Sequence, residues 1–291
     1  MRHTDDRDRI MGGIVWLASY PKSGNTWMRA FLHNLLTNAK KPVEPNYLDK
    51  FTLGNKAAGW YRPYAGNKPL SALTPEDLAK YRPLVHRDFT RTSSDSVFVK
   101  THAYLGADDL GVPLITMEYT AGAIYIVRNP LDVCISMTHH FGCSIDDAID
   151  YLAFVRNSMG GGDEESIMEP VSTWSIHVKS WTGEPNPRLI AVRYEDMLDQ
   201  PRIAFGNVCR FLGLTPTPER LERAIKFSSF EMLRKMEDEK GFKERSDNAE
   251  RFFREGRKEQ WRDKLSPAQV QKLVDTHREQ MARFNYVPEG Y

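Results

Sequence analysis

Short, nearly continuous apolar runs alternate along the chain with stretches in which apolar residues recur every three or four positions. Ile14–Ser19 (IVWLAS) is the clearest run and predicts a strand buried on both faces. After it, Trp27, Phe31, Leu32, Leu35 and Leu36 fall on one side of a helix drawn over Asn25–Asn38. Val97–Lys100, Ala123–Arg128 and Leu189–Arg193 repeat the strand pattern. A helix is expected from Pro130, because proline suits a first helical turn. This order predicts an α/β fold, a single domain with a central parallel β-sheet flanked by helices. Right-handed crossovers would gather the C-terminal ends of the strands at one edge, where such sheets bind ligands.

The back half is mainly helical. Arg202–Leu212, Pro218–Phe227 and Ser229–Glu239 are expected as helices. A last helix starts at the capping box of Ser266 and Gln269, with Pro267 at the first position, and runs to Phe284. Lys40–Leu73, Gly160–Glu165 and Lys240–Gln260 read as loops. No repeat or linker-like shift in composition divides the chain, so one domain is expected over 12–291, after a solvated tail over 1–11.

Charge changes the picture only by exclusion. The 291 residues hold 40 Lys and Arg against 39 Asp and Glu, a net charge of +1, which argues against nucleic acid or an anionic membrane as partner. Cys134, Cys143 and Cys209 are too few for a disulfide framework and form no CxxC. With no signal-like leader and no membrane-spanning run, they point to a cytoplasmic protein. No HxH, DxD or CxxC arrangement suggests a metal site, so no metal is expected.

The chemistry concentrates at strand ends. Ser19-Tyr20-Pro21-Lys22-Ser23-Gly24-Asn25-Thr26-Trp27 lies between the first strand and the first helix. Backbone N–H groups at such a helix start converge on one point and favour an anion. Gly24 allows close approach, Ser23, Asn25 and Thr26 add side-chain donors, and Lys22 adds a charge. A Walker A loop carries its lysine directly after the second glycine; here Asn25 holds that position. Arg128 ends another strand, where it can fork two hydrogen bonds onto a phosphate, and Ser136 can reach the same anion from the following helix. Lys100 and His102 end a third strand, and a neutral histidine there suits removal of a proton from a hydroxyl.

SYPKSGNTW resembles the TYPKSGTTW loop of the cytosolic sulfotransferases, which binds the 5′-phosphosulfate of 3′-phosphoadenosine 5′-phosphosulfate (PAPS). The resemblance implies that Lys22 contacts the phosphosulfate, that Ser23, Gly24, Asn25 and Thr26 wrap the 5′-phosphate, and that Trp27 stacks near the adenine. RNPLDVCIS is similar to the family's RNPKDVAVS, which implies Arg128 and Ser136 at the 3′-phosphate. Lys100-Thr101-His102 resembles its KTH segment, implying His102 as catalytic base and Lys100 as a second hold on the sulfuryl group. Phe252–Trp261 resembles FMRKGxxGDW; Arg254 and Gly256 match, while Glu255 replaces a lysine and Gln260 an aspartate. Glu255 is expected to point outward, with Lys258 as a candidate replacement for the lost lysine. Tyr194, Ser228 and Phe230 match shorter motifs near the adenine. The match is collinear from residue 14 to about 265, but the family's dimerisation sequence is absent, which leaves the oligomeric state open.

The reaction so implied moves a sulfuryl group from PAPS to a hydroxyl of a small-molecule phenol or alcohol, leaving 3′,5′-adenosine bisphosphate (PAP). Aromatic loops carrying Trp60 and Tyr64, with His140 and Phe141 after the Arg128 helix, suggest an apolar or aromatic acceptor. A non-catalytic nucleotide-binding module and a P-loop kinase stay open as alternatives.

Overall fold

Ile14–Ser19 forms β1, buried at all six positions, and its neighbours on both sides are parallel strands. The structure, a computed structural model, describes residues 12–291; the tail expected over residues 1–11 lies outside them. The remaining strands are β2 (Thr52–Gly54), β3 (Val97–Thr101), β4 (Thr120–Val127), β5 (Ser158–Met159), β6 (Glu169–Pro170) and β7 (Leu189–Arg193). The main sheet runs in the order β2-β3-β1-β4-β7, and every pairing in it is parallel. β5 and β6 pair separately as a short antiparallel ribbon.

The helices are α1 (Asn25–Leu36), α2 (Leu48–Phe51), α3 (Arg62–Ala65), α4 (Pro75–Thr90), α5 (Pro130–Phe141), α6 (Ile145–Ala153), α7 (Trp174–Thr182), α8 (Tyr194–Asp199), α9 (Pro201–Phe211), α10 (Pro218–Phe227), α11 (Phe230–Lys240) and α12 (Pro267–Arg283). None is long and apolar enough to cross a membrane. The α12 capping box forms as its residues dictate: Gln269 N–H donates to Ser266 Oγ, and Ser266 N–H to Gln269 Oε1.

Alternation along the strands divides the core in two. Trp16 and Tyr125 join Phe89 of α4 and Trp174 of α7 on one face. Leu17, Ile124 and Ile126 join Phe31 of α1 and Phe205 of α9 on the other. A third, smaller cluster holds Leu233, Met236, Phe242 and Phe253 and fixes the irregular segment after α11. Burying one such phenylalanine stabilises by about 2 kcal/mol, so that segment is attached by its own apolar anchors.

The sheet and its flanking helices follow the expected order. Several elements were not anticipated. β2 is a three-residue edge strand inside the expected 40–73 loop, too short for a pattern. α4 carries Pro83 in its interior, which masks its periodicity although its capping box, Thr74 with Asp77, is intact. α6 and α7 likewise lie outside the expected helices.

Candidate active site

Register gathers the motifs. Ala18 pairs with Thr101, Ser19 with Ile126, and Val127 with Arg193. The residues that follow these strands, His102, Arg128 and Tyr194 together with the loop after Ser19, therefore emerge at one edge of the sheet. That edge flanks β1, where the connections diverge to β3 on one side and β4 on the other.

The loop before α1 is held in unusual backbone geometry. Gly24 caps the helix at φ 102°. A Cβ there would come within 2.7 Å of the Tyr194 ring, so only glycine fits. Lys22 has φ 65°, a left-handed conformation that costs a side-chain-bearing residue about 1–2 kcal/mol and that the surrounding contacts must hold. Asn25 departs from expectation. Its amide donates to the Leu17 carbonyl at 2.8 Å and to Ser19 Oγ at 3.2 Å, so both side-chain protons tie the loop to β1 and none is left for an anion.

Other donors have no partner. Ser23 Oγ, Trp27 Nε1 and Arg128 Nε are buried without a hydrogen bond, an arrangement native proteins rarely leave without a ligand or water. Arg128 donates through Nη1 to the Lys22 carbonyl at 3.0 Å and lies 4.2 Å over the Tyr194 ring. Lys22 Nζ sits 4.1 Å over the Phe252 ring. Burial, aided by the charges of Lys100 and Arg128, lowers the Lys22 ammonium to about 7.

His102 is fixed from three sides. Its Nδ1–H donates to the Ser19 carbonyl at 2.7 Å; a carbonyl can only accept, so the proton is on Nδ1 and Nε2 keeps its lone pair. Its backbone N–H donates to Glu169 Oε2 at 3.1 Å, and its carbonyl accepts from His177 Nε2 at 3.0 Å. Burial, with Lys100 adding repulsion, holds its pKa well below the ordinary 6.5, so the ring is neutral at physiological pH. Lys100 donates to Glu244 at 2.9 Å, and Arg29, 2% exposed, donates to the other oxygen of that carboxylate at 2.6 Å. Burial alone would raise the Glu244 pKa; the two cations overcome it and keep the carboxylate ionised.

The segment after Phe252 folds over this edge. Glu237 of α11 accepts from the N–H groups of Phe252 and Phe253 at 2.7 and 2.8 Å. Asp132 of α5 accepts from Glu259 and Trp261 at 2.7 and 3.2 Å. Between these anchors, Gly256 at φ 61° packs so closely on Phe230 that an added Cβ would meet the ring at 2.2 Å. Arg254 bonds both Glu255 and Gln260. Glu255 thus does not point outward as expected: it lines the cavity and balances Arg254 and Arg257. Lys258 is turned away and pairs with Asp199, so it does not replace the lost lysine.

These pieces enclose a cavity of about 300 Å³. Lys22, Gly24, Asn25, Thr26, Trp27, Lys100, His102, Arg128, Ser136, His140, Tyr194, Phe230, Arg254 and Gly256 all line it. Ser23, within the loop, is 1% exposed and does not line the cavity. Ser228 does not reach the cavity: it is fully buried and its hydroxyl donates back to the Ala224 carbonyl at 2.9 Å, capping α10. The expected aromatic acceptor wall is also absent. Trp60 packs edge-on against Phe89, Tyr64 stacks on Tyr81 and bonds Asp88, and Phe141 packs on the core beside Tyr151. The loop buries its own aromatics, a stronger demand than lining a polar cleft. Lys56, Met159, Glu244 and Phe252 stand there instead. Phe252 opens the segment that resembles FMRKGxxGDW, whereas Lys56, Met159 and Glu244 belong to no motif and lie in short irregular stretches and the small β5 ribbon, whose course only the fold defines. Among the described residues, no group of His, Cys, Asp and Glu side chains is arranged to hold a metal.

A family model for the sulfotransferase domain matches residues 13–285. Cytosolic sulfotransferase 13 of Arabidopsis thaliana is 26% identical over 284 residues, 92% of this chain and 76% of the relative. Flavonol 3-sulfotransferase of Flaveria bidentis is 24% identical over 278 residues, 89% of this chain and 78% of the relative. Among solved structures, a mouse sulfotransferase complexed with PAP superposes with a TM-score of 0.61 at 17% identity, covering 94% of this chain and 85% of that one. Retinol dehydratase in complex with androsterone and PAP gives 0.60 at 18%, covering 94% and 81%. At these identities the structural likeness establishes the fold.

Proposed function

The chain belongs to the sulfotransferase domain family, and from that premise we propose that it transfers a sulfuryl group from PAPS to the hydroxyl of a small-molecule acceptor, with His102 as the base. Bound PAPS supplies an activated sulfuryl group and a PAP leaving group. The residues present suit such an anion: a glycine cradle at Gly24 and Gly256, unpartnered donors at Ser23, Trp27 and Arg128, and cations at Lys22, Arg128 and Arg254. PAP in the two solved relatives supports the same assignment.

In this reading Lys22 and the N–H groups before α1 hold the 5′ end, and Arg128, Ser136 and Arg254 hold the 3′-phosphate. Trp27, Tyr194 and Phe230 face the adenine. Nε2 of His102 takes the acceptor's proton, and the imidazolium so formed is stabilised by the Ser19 carbonyl on Nδ1–H. Lys22 and Lys100 offset the negative charge that develops around the transferring group. Asn25 stands where a kinase loop keeps its lysine, and its amide is committed to β1, which disfavours triphosphate chemistry.

The observation that carries the proposal is the tautomer of His102, which leaves a buried, neutral lone pair at the cavity. Replacing it should abolish general-base catalysis, a loss of roughly 100-fold or more in turnover, with PAP affinity nearly unchanged. Labelled PAPS offered with a panel of phenols and alcohols, and calorimetry with PAP, measure the two quantities for His102→Asn. Near-wild-type turnover of the variant would reject the base assignment. Stoichiometric PAP binding by the wild type without turnover on any acceptor would favour a non-catalytic module.

A further inference from the structure

On that reading of the cavity, we propose that the acceptor carries a carboxylate, which Lys56 pairs while the acceptor's hydroxyl meets His102. Gly54 of β2 lies opposite Lys100 in the sheet, so Lys56, two residues on, arrives at the edge that carries Lys100 and His102. Its backbone is pinned there. Asn55 N–H donates to the Lys100 carbonyl at 2.9 Å, Ile167 N–H donates to the Lys56 carbonyl at 2.8 Å, and Ala57 bridges to Ser166. The Asn55 side chain donates to Glu169 at 2.9 Å, the same carboxylate that holds His102. The Lys56 backbone is thus fixed at this edge, and its side chain starts from a defined point beside Lys100 and His102.

Lys56, half-buried as a residue, lines the cavity and, among the described residues, makes no ion pair or side-chain hydrogen bond. The other cations there are engaged. Lys100 has Glu244 and Arg254 has Glu255, while Lys22 and Arg128 serve the cofactor in the reading above. Glu244 is the carboxylate at this end, and it is already shared between Lys100 and Arg29. Asp163, on an exposed loop nearby, has its pKa held low chiefly by the N–H groups of Ser166 and Glu165 and in smaller part by the Lys56 charge, but it makes no ion pair with Lys56. His102 and His140 are both neutral at physiological pH, held so chiefly by burial. Among the described residues at this end, Lys56 is therefore the cation that holds no ion-paired carboxylate. Met159 and Phe252 add apolar surface to the same cavity, which suits a short ring between a hydroxyl and a carboxylate.

The test compares three phenols on one ring with labelled PAPS: 4-hydroxyphenylacetate, its neutral amide, and tyramine. The expected result is a kcat/KM for the carboxylate at least about tenfold above the amide, with tyramine lowest. In Lys56→Met the carboxylate-to-amide ratio should fall to within about twofold of one, and Lys56→Arg should restore part of it. Equal kcat/KM for carboxylate and amide in the wild type, or a preference that survives Lys56→Met, overturns the inference and leaves the sulfuryl-transfer reading standing. Absence of transfer to these three and to a panel of neutral phenols and alcohols overturns that reading, and the inference with it.

Discussion

Lys22 should take up a proton when PAP binds. Its ammonium is lowered to about 7 by burial and by the neighbouring charges of Lys100 and Arg128, against roughly 10.4 for a free lysine. A phosphate beside it reverses the repulsion and returns the pKa toward that ordinary value. The bound value is the raised one, so affinity is full below about pH 7 and declines as pH rises toward the bound pKa. About half of the free protein carries the charge at pH 7 and about one molecule in a hundred at pH 9, so PAP affinity should fall about 50-fold across that interval. Uptake should be about half a proton per PAP at pH 7 and close to one at pH 9. Calorimetric titration in buffers of different ionisation enthalpy reads both quantities. The phosphates of PAP, with second pKa values of about 6, are almost fully ionised over this range and contribute little. Lys22→Met should bind more weakly and show a flatter pH profile with less uptake. If wild type and Lys22→Met take up equal numbers of protons between pH 7 and 9, the charge assigned to Lys22 is wrong.

Two further outcomes follow from the anion-binding groups. Arg128→Ala should lower the ratio of PAP to AMP affinity by roughly 30-fold, the worth of a charge-assisted hydrogen bond pair; an unchanged ratio in competition binding would remove Arg128 from the 3′-phosphate. Glu255→Ala should tighten PAP binding by about threefold, because the partly exposed carboxylate that competes for Arg254 is gone; weaker binding would mean that Glu255 supports the loop instead.

The parts of the fold visible in the sequence are those whose residues answer only to the nearest layer. β1 and most of β4 are buried on both faces because helices cover both, and β3 and β7, though only half-buried, carry apolar runs at 97–99 and 189–192, so all four read as continuous runs. α10 and α12 carry capping signals and clean stripes. β2 was hidden because three residues define no period, and its place in the sheet depends on pairing with β3, 46 positions on at Thr52 and Phe98. The site divides in the same way. Lys22, Gly24, His102 and Arg128 sit at the ends of legible strands, so their convergence follows from parallel order alone. Ser228 failed because a hydroxyl after a helix has a nearer use, the last carbonyls of α10. Trp60 and Tyr64 failed because an aromatic loop long enough to reach a site is also long enough to bury itself.

Glu244 and Glu255 explain how so many cations coexist before an anion arrives. Lys22, Lys56, Lys100, Arg128 and Arg254 line one cavity, and like charges gathered in a poorly hydrated space repel more than in water. Three devices relieve this. Lys22 lowers its own pKa and rests on the Phe252 ring. Arg128 lies over Tyr194 with a carbonyl beneath it. Lys100 and Arg254 borrow carboxylates from the irregular segment between α11 and α12. An incoming polyanion does not meet bare cations, then; it exchanges with internal carboxylates, and the gain is the difference between two sets of ion pairs. That difference is smaller than either set, which keeps an anion of high charge exchangeable and lets spent PAP leave. Lys56 differs from Lys100 and Arg254: it makes no ion pair among the described residues, so an acceptor carboxylate of the kind proposed above would reach it without displacing an internal one.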